Sequence, residues 1–181
     1  MVNVNLTWGA NNPAAQARLQ EMVLYVAEKT KNLDDFGTTK INKTLYNADM
    51  EMFRRTGKAI TGVQYHRIQN GPVPKHILAA ERALLSANEL EIDQSIASHK
   101  RIAKRSAKLN SFTSDEIAIV DAQIEQIKNF TSAKVSEDSH DIRWQAVKHQ
   151  GLIPYEFAFL SGDATEKDKV NAASMAVEFG W

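Results

Sequence analysis

The chain has 181 residues, 43% of them hydrophobic, which is enough for one compact domain with its own core. Its 22 basic and 22 acidic residues cancel, so no whole-molecule field draws it to nucleic acid or to an anionic membrane. It contains no cysteine, which excludes disulfides, thiolate metal sites and cysteine nucleophiles. We expect a single cytoplasmic domain over residues 1–181, without a signal peptide or a membrane span.

Helical periodicity predicts two long helices in the first third of the chain. Asn12, followed by a proline, predicts the start of a helix over about 13–31. Thr38 or Thr39 is expected to cap a second helix that ends at Gly57. The apolar stripe of this second helix consists of Ile41, Leu45, Ala48, Met52 and Phe53.

The middle of the chain combines strand signals with a turn and a further helix. Residues 60–68 fit a short strand, and Gly71–Pro74 indicates a turn. A helical pattern then runs to about residue 87. The segments 89–98 and 99–108 are expected to form the two strands of an antiparallel hairpin.

The last third of the chain is predicted to be helical. Thr113 and Glu116 have the spacing of a capping box and precede an apolar stripe. Shorter helices are expected over about 133–138 and from about His140, and a last helix over about 165–179. The predicted fold class is therefore α+β and mainly α-helical, with six or seven helices and a small antiparallel hairpin or sheet built from the strand regions.

The pattern in the sequence that most resembles a catalytic group is a set of three polar residues, each three positions from the next. Lys43, Tyr46 and Asp49 would be neighbours on a helix surface, where a lysine and a carboxylate beside a phenol can support acid–base chemistry. A half-buried tyrosine with its hydroxyl at the surface explains the pattern without any chemistry, and we favour it. The five histidines have no metal-binding spacing, and no phosphate-binding or nucleophile-elbow motif occurs. We expect no metal, no cofactor and no enzyme activity; an enzyme that uses Tyr46, Asp49 or His140 is the less favoured alternative.

Two further features are candidates for contact with a partner. His140 and Trp144 lie one helical turn apart and could stack, either as part of the core or on a partner. The stretch 100–108 is the one place where the sequence could bind nucleic acid, although no aromatic side chain interrupts it to stack on bases. We expect this basic stretch to be a solvated edge strand or helix face, and a nucleic-acid-binding regulator remains the alternative function.

The strongest signal is the order of short motifs between Lys40 and Pro74. Lys-Ile-Asn-Lys-Thr-Leu-Tyr is followed by an aspartate, Ile-Thr-Gly, a tyrosine and Gly-Pro-Val-Pro. Weaker motifs follow at 112–121, at 131–136 and around 139–144. In this order the motifs resemble the SocA-like Panacea domain, a family that includes phage-associated proteins, and the likeness covers about residues 38–160.

The resemblance implies a protein that works by binding another protein. Members of the family look like antitoxins that neutralise small toxins by direct contact, and one branch resembles a proteolytic adaptor that delivers its toxin to a protease. The expected partner is a cognate protein toxin, with a protease as the second partner of an adaptor. Candidate contacts are the aromatic and basic side chains of the motif-bearing segments, namely Tyr46, Tyr65, Arg67, His140 and Trp144.

Overall fold

The computed structural model describes residues 6–160 together with Val170, Ser174 and Val177. Within this part of the chain, the fold consists of six α-helices, one 3-10 helix and two small antiparallel sheets. The prediction of a mainly helical α+β fold is confirmed. The last predicted helix, over 165–179, lies outside the described residues except for those three positions, which are helical.

The first two helices follow their predicted bounds closely. Helix α1 spans Pro13–Lys29 and α2 spans Thr38–Thr56. The side chain of Asn12 caps α1 by accepting a hydrogen bond from the backbone N–H of Ala15 at 2.9 Å. Helix α2 ends at Gly57, which adopts a left-handed conformation with φ of 74°. The start of α1 and the end of α2 are therefore encoded locally.

The predicted cap of α2 by a threonine is wrong. The residue at the N-cap is Gly37, which has no side chain with which to cap the helix. The backbone N–H of Thr38 is instead satisfied by the carbonyl of Ser98, at 3.0 Å. A Cβ on Gly37 would lie only 1.8 Å from that carbonyl oxygen. A distant loop, not a local side chain, therefore defines the start of this helix.

The remaining helices are shorter, and two of them begin at predicted caps. Thr113 forms the expected capping box with Glu116, and Thr131 accepts a hydrogen bond from the backbone of Lys134. These helices are α3 (Ile77–Ser86), α4 (Ser114–Ile127), α5 (Ser132–Asp138) and α6 (Ile142–Gln145), and a 3-10 helix follows at Tyr155–Phe159.

The strands form two separate antiparallel sheets. Strand β1 (Tyr65–Ile68) lies between β2 (Gly71–Pro74) and β5 (Leu152–Ile153). Strands β3 (Leu90–Asp93) and β4 (Lys100–Ala103) form the second sheet. The predicted hairpin of the second region is therefore confirmed, whereas the two predicted strand regions do not pair with each other.

The predicted turn at Gly71–Pro74 is wrong, because these residues form the edge strand β2. Ile68 pairs with the glycine that begins β2, so the two residues between them make the turn. The backbone N–H of Lys75 donates to the carbonyl of Gln64 at 2.8 Å. Because hydrogen-bonded positions alternate along an antiparallel strand, both prolines of β2 fall at positions that need no N–H. An edge strand can therefore contain two prolines.

Helix α2 lies at the centre of the fold and contacts α1, α4, α5, β2 and the 3-10 helix. Its buried face is polar as well as apolar, since it includes two lysines, Lys40 and Lys43, and the carboxylate of Asp49. No described helix combines the length and the apolar character needed to cross a bilayer. The buried polar groups of α2 are the starting point for the functional site.

Candidate functional site

Asp49 is the acceptor at the centre of a buried hydrogen-bond network. Its carboxylate accepts from the backbone N–H of Thr61 at 2.7 Å and from the hydroxyls of Thr61 and Tyr65, the latter at 2.8 Å. The hydroxyl of Tyr155 is 3.4 Å from the same carboxylate and donates to the carbonyl of Val63 at 2.7 Å. Burial raises the pKa of Asp49, and the donors around it oppose that change. The network joins α2 to the segment before β1 and to the 3-10 helix.

The two buried lysines of α2 have different environments. The ammonium of Lys40 contacts the carboxylate of Asp35 at 2.6 Å and the carbonyl of Lys128 at 3.0 Å. Lys43 is only 2% exposed, and its ammonium donates to the carbonyl of Pro72 at 3.0 Å. No carboxylate of the described chain pairs with it. Burial lowers the pKa of Lys43 to about 7.

Gly71 packs closely against the side chains of Lys43 and Ser139. A Cβ on Gly71 would lie 2.1 Å from the hydroxyl oxygen of Ser139 and 2.8 Å from the ammonium nitrogen of Lys43. The φ of Gly71 is +99°, in the region that favours glycine. The close approach of β2 to α2 and α5 therefore depends on the absence of a side chain.

Gly71→Ala is expected to destabilise the protein by about 2–3 kcal/mol, because it displaces two buried side chains and strains the backbone. Gly57→Ala is the matched control, since Gly57 also has a positive φ but nothing lies within 4 Å of its added Cβ. We expect the control to cost about 1 kcal/mol. Urea unfolding of both variants measures the difference, and equal losses would contradict the crowding of Gly71.

Tyr46 and Tyr65, two of the predicted partner contacts, lie in the core. They are 1% and 0% exposed, and their rings contact each other edge-to-face with centres 5.2 Å apart. The expectation that the hydroxyl of Tyr46 reaches the surface is wrong, because that hydroxyl is buried and has no hydrogen-bond partner among the described residues. A partner docked on the present surface would not touch either ring. Lys43, Tyr46 and Asp49 have separate contacts and do not form the acid–base group considered above.

The other three predicted contacts come together in one half-buried stack. The guanidinium of Arg67 lies 3.7 Å from the ring centre of Trp144, and the ring of His140 stacks on the same indole at 4.1 Å. The indole N–H donates to the carbonyl of Ile68 at 2.9 Å, and Arg67 donates to the carbonyl of Val147. The predicted stacking of His140 on Trp144 is confirmed. Contact of this Arg67–Trp144–His140 stack with a partner remains a prediction.

A groove of about 310 Å³ adjoins the stack between α2, α4 and α5. Apolar side chains line part of it, and Phe130 at its side is 46% exposed. Arg143 lines the groove and directly precedes Trp144 of the stack. We call this surface the α2–α4–α5 groove; its lining includes Asn47, Met50, Phe130, Ser139 and Arg143. Sequence reasoning missed the groove, although the aromatic Phe130 just after α4 was an available signal.

Four of the five cations in the basic stretch 100–108 form ion pairs with acids of the protein itself. Arg101 is buried and makes a paired contact with the carboxylate of Glu81 at 2.8 and 3.0 Å. Three further cations of the stretch are paired with acids on α1, on β3 or in adjacent loops: Lys100 with Asp34, Lys104 with Glu91, and Arg105 with Glu21 and Glu89. A phosphate backbone would have to displace these contacts, so the structure gives no support to the nucleic-acid alternative.

Comparison with known protein families gives one match, which covers most of the helices and strands described above. A family model described as antitoxin SocA-like, Panacea domain, matches residues 41–145, which run from α2 to α6. No curated protein and no solved structure gives a significant match. The matched region contains the buried network donors Thr61 and Tyr65, Lys43, the complete stack and most of the groove.

Proposed function

This chain belongs to the SocA-like Panacea domain family of antitoxins, and from that premise we propose that it neutralises a cognate protein toxin by binding it directly. Delivery of the bound toxin to a protease is a second step that the same binding would permit. The family match over residues 41–145 is the observation that carries the proposal. We further propose that the protein acts without catalysis and in the cytoplasm, where a chain without disulfides is at home.

The α2–α4–α5 groove and the adjoining stack are the surface that we propose for the toxin. A stable protein–protein interface buries about 1,200–2,000 Å² in total, so the toxin must extend beyond the groove itself. Phe130 is exposed and the stack is half-buried, and aromatic and arginine side chains of this kind dominate binding energy at interfaces. The two features adjoin along the chain, because Ser139 and Arg143 line the groove and His140 and Trp144 belong to the stack.

Co-expression tests the proposal. We expect the toxin to be encoded next to this chain, so each adjacent open reading frame is expressed alone and together with this chain. Expression of the toxin alone is expected to arrest growth. Co-expression with this chain is expected to restore growth and to yield a complex that co-purifies. A neighbour that is harmless, or toxic but unaffected, would refute the pairing. Toxin half-life with and without this chain then separates the two mechanisms, since an adaptor shortens the half-life and simple neutralisation does not.

Phe130→Ala is expected to weaken toxin binding by about tenfold or more, because truncation of an exposed aromatic anchor typically costs at least 1–2 kcal/mol. Leu78→Ala on α3 is the matched control, since Leu78 is 62% exposed and lies outside the groove. Titration calorimetry with the purified toxin measures both variants. Equal affinities of the two variants would place the toxin elsewhere on the surface.

A further inference from the structure

The three-stranded sheet is built from two segments of the chain that contain no acidic residue. Residues 52–80 hold β1 and β2, residues 142–155 hold β5, and neither segment includes an aspartate or a glutamate. The chain as a whole has as many acids as bases, so its acids are concentrated elsewhere. Positive charge on this sheet can therefore be neutralised only by groups from outside the two segments.

Strand pairing brings basic side chains of the two segments together. Tyr65 lies in the core, so alternation along β1 places His66 on the opposite face of the strand. The backbone N–H of Lys75 donates to the carbonyl of Gln64 at 2.8 Å, and the N–H of Gln150 donates to the carbonyl of Arg67 at 2.8 Å. These bonds hold the end of β2 and the approach to β5 beside His66. We call the basic side chains at this place, His66, Lys75, His76, Lys148 and His149, the sheet patch.

The sheet patch is accessible to solvent. Lys75, Lys148 and His149 are exposed, and His66 and His76 are half-buried. A docked protein could therefore reach all five side chains without a change in the fold.

The acids that border the two segments already have partners of their own. Three of them pair with arginines, and Glu156 accepts from the backbone N–H of Thr7 at 2.8 Å. The three pairs are Glu51 with Arg54 and Arg55, Glu81 with Arg101, and Asp141 with Arg143. Within the described part of the chain, no carboxylate forms an ion pair with a member of the sheet patch.

His66 has no carboxylate among the groups that act on it. Burial lowers its pKa, and the positive charges of Lys75, His76 and His149 act in the same direction. A carboxylate placed beside the sheet patch would oppose this effect and favour the protonated imidazole. Binding of an acid would therefore be accompanied by uptake of protons.

We propose that the sheet patch binds an acidic segment of the protein partner, in which several aspartate or glutamate carboxylates lie close together. The inference rests on the proposed function and adds the chemistry of a second contact, since the toxin must extend beyond the groove. The charge of the patch is complementary to such a segment. The patch also adjoins the stack, because Arg67 follows His66 in β1 and binds the carbonyl of Val147, which precedes Lys148.

A protein is favoured over a nucleic acid as the source of the negative charge. The family match points to a protein partner. The sheet patch also has only two lysines, Lys75 and Lys148, and histidines that are largely neutral at pH 7, so it offers few phosphate contacts.

The site is tested first without any toxin, with hexaglutamate as the probe and hexaserine as its neutral analogue. Amide resonances of the full chain are followed by heteronuclear NMR at low salt. Hexaglutamate is expected to shift the resonances of the sheet patch, and its affinity should rise on the order of threefold from pH 7.5 to pH 6. The probe stays ionised over this range, whereas the histidines gain protons. Equal shifts from hexaserine, or an affinity that does not rise at pH 6, would overturn the site.

The double variant Lys75→Gln, Lys148→Gln is expected to weaken hexaglutamate binding roughly fivefold, because it removes both permanent charges of the patch. The matched control is Lys31→Gln, Lys58→Gln, which removes two exposed lysines from the loops after α1 and α2. The control should leave binding unchanged. Equal weakening by the two double variants would overturn the site, since it indicates nonspecific attraction. Tighter binding of a thymidine decanucleotide than of hexaglutamate would overturn the choice of an acidic protein segment.

The toxin that co-purifies with the chain tests the source of the acid. The patch double variant should slow toxin association by roughly threefold or more at low salt, and the difference should shrink at high salt. An association rate and affinity equal to those of the control variant would overturn the contact while leaving the proposed function intact. Failure of the wild-type chain to bind any toxin would overturn the proposed function, and the hexaglutamate titration does not depend on that result.

Discussion

Lys43→Met is expected to raise the free energy of unfolding at pH 7 by about 2 kcal/mol. The pKa of Lys43 falls from 10.5 to about 7 in the folded protein, so burial of this lysine costs about 4 kcal/mol at neutral pH. Methionine removes that cost and fills a similar volume, while the lost hydrogen bond to Pro72 offsets part of the gain. Urea unfolding at pH 7 measures the difference.

The advantage of methionine should disappear as the pH rises. Between pH 7 and 10.5 the unfolded chain holds a proton on Lys43 that the folded chain has lost, so wild-type stability increases with pH across this window. The methionine variant lacks this contribution. We expect the difference between the two proteins to change by roughly 3 kcal/mol from pH 7 to pH 10, and to reverse in sign. A difference that stays constant with pH would contradict the desolvation of Lys43. Other groups that titrate in this range are common to both proteins and cancel.

Asp49→Ala is expected to destabilise the protein by about 3–5 kcal/mol. The substitution leaves the backbone N–H and hydroxyl of Thr61 and the hydroxyl of Tyr65 without their acceptor in the core. It also opens a cavity between α2 and the segment before β1. Chemical unfolding monitored by tryptophan fluorescence measures the loss.

A double-mutant cycle with Tyr65→Phe distinguishes this network from a simple cavity. The single phenylalanine variant should cost about 1 kcal/mol, because it removes one hydrogen bond and leaves the carboxylate its other donors. Combined with Asp49→Ala it should add less than that, since the donor it deletes is already unsatisfied. Strict additivity would indicate that Asp49 acts through its volume alone.

The predictions for Lys43 and Asp49 together distinguish a residue that stabilises the fold from one that reduces its stability. Asp49 is satisfied within the chain and holds the fold together, whereas Lys43 is left without a counterion and destabilises it. A residue that reduces stability without an internal compensation is a candidate for function. Higher stability of the Lys43→Met variant would identify Lys43 as such a residue.

Sequence reasoning identified those helix boundaries that depend on local chemistry. Asn12 before a proline, the capping box of Thr113 and the terminal Gly57 each act within a few residues of the helix end. It failed at Gly37 and at Gly71–Pro74, where a distant carbonyl and the pairing with β1 decide the conformation. Such contacts leave no periodic signal in the sequence.

Only part of the candidate site could be predicted, because the sequence indicates contacts between nearby residues but not contacts between distant ones. The four-residue separation of His140 and Trp144 suggested that they could stack, and they do, although His140 lies just before the N-cap of α6 and not within a helix. The addition of Arg67 needed the pairing of β1 with β5. In the basic stretch 100–108, distant contacts instead remove a site that the sequence suggested. Its cations were expected to be solvated, yet acids on α1, β3 and α3 pair with three of them, Arg105, Lys104 and Arg101, across separations of up to 84 residues.

By itself, the sequence determined the family, the mainly helical α+β class and the residues that define the motif between Lys40 and Pro74, because ordered residue types are a property of the chain. Only the tertiary structure decided which of those residues are accessible. Tyr46 and Tyr65 are core, Lys43 is a buried cation without an acid, and the groove exists because α2, α4 and α5 meet. Burial and pairing depend on residues far apart in the chain, and these two properties distinguish a residue that stabilises the fold from one that is available to a partner.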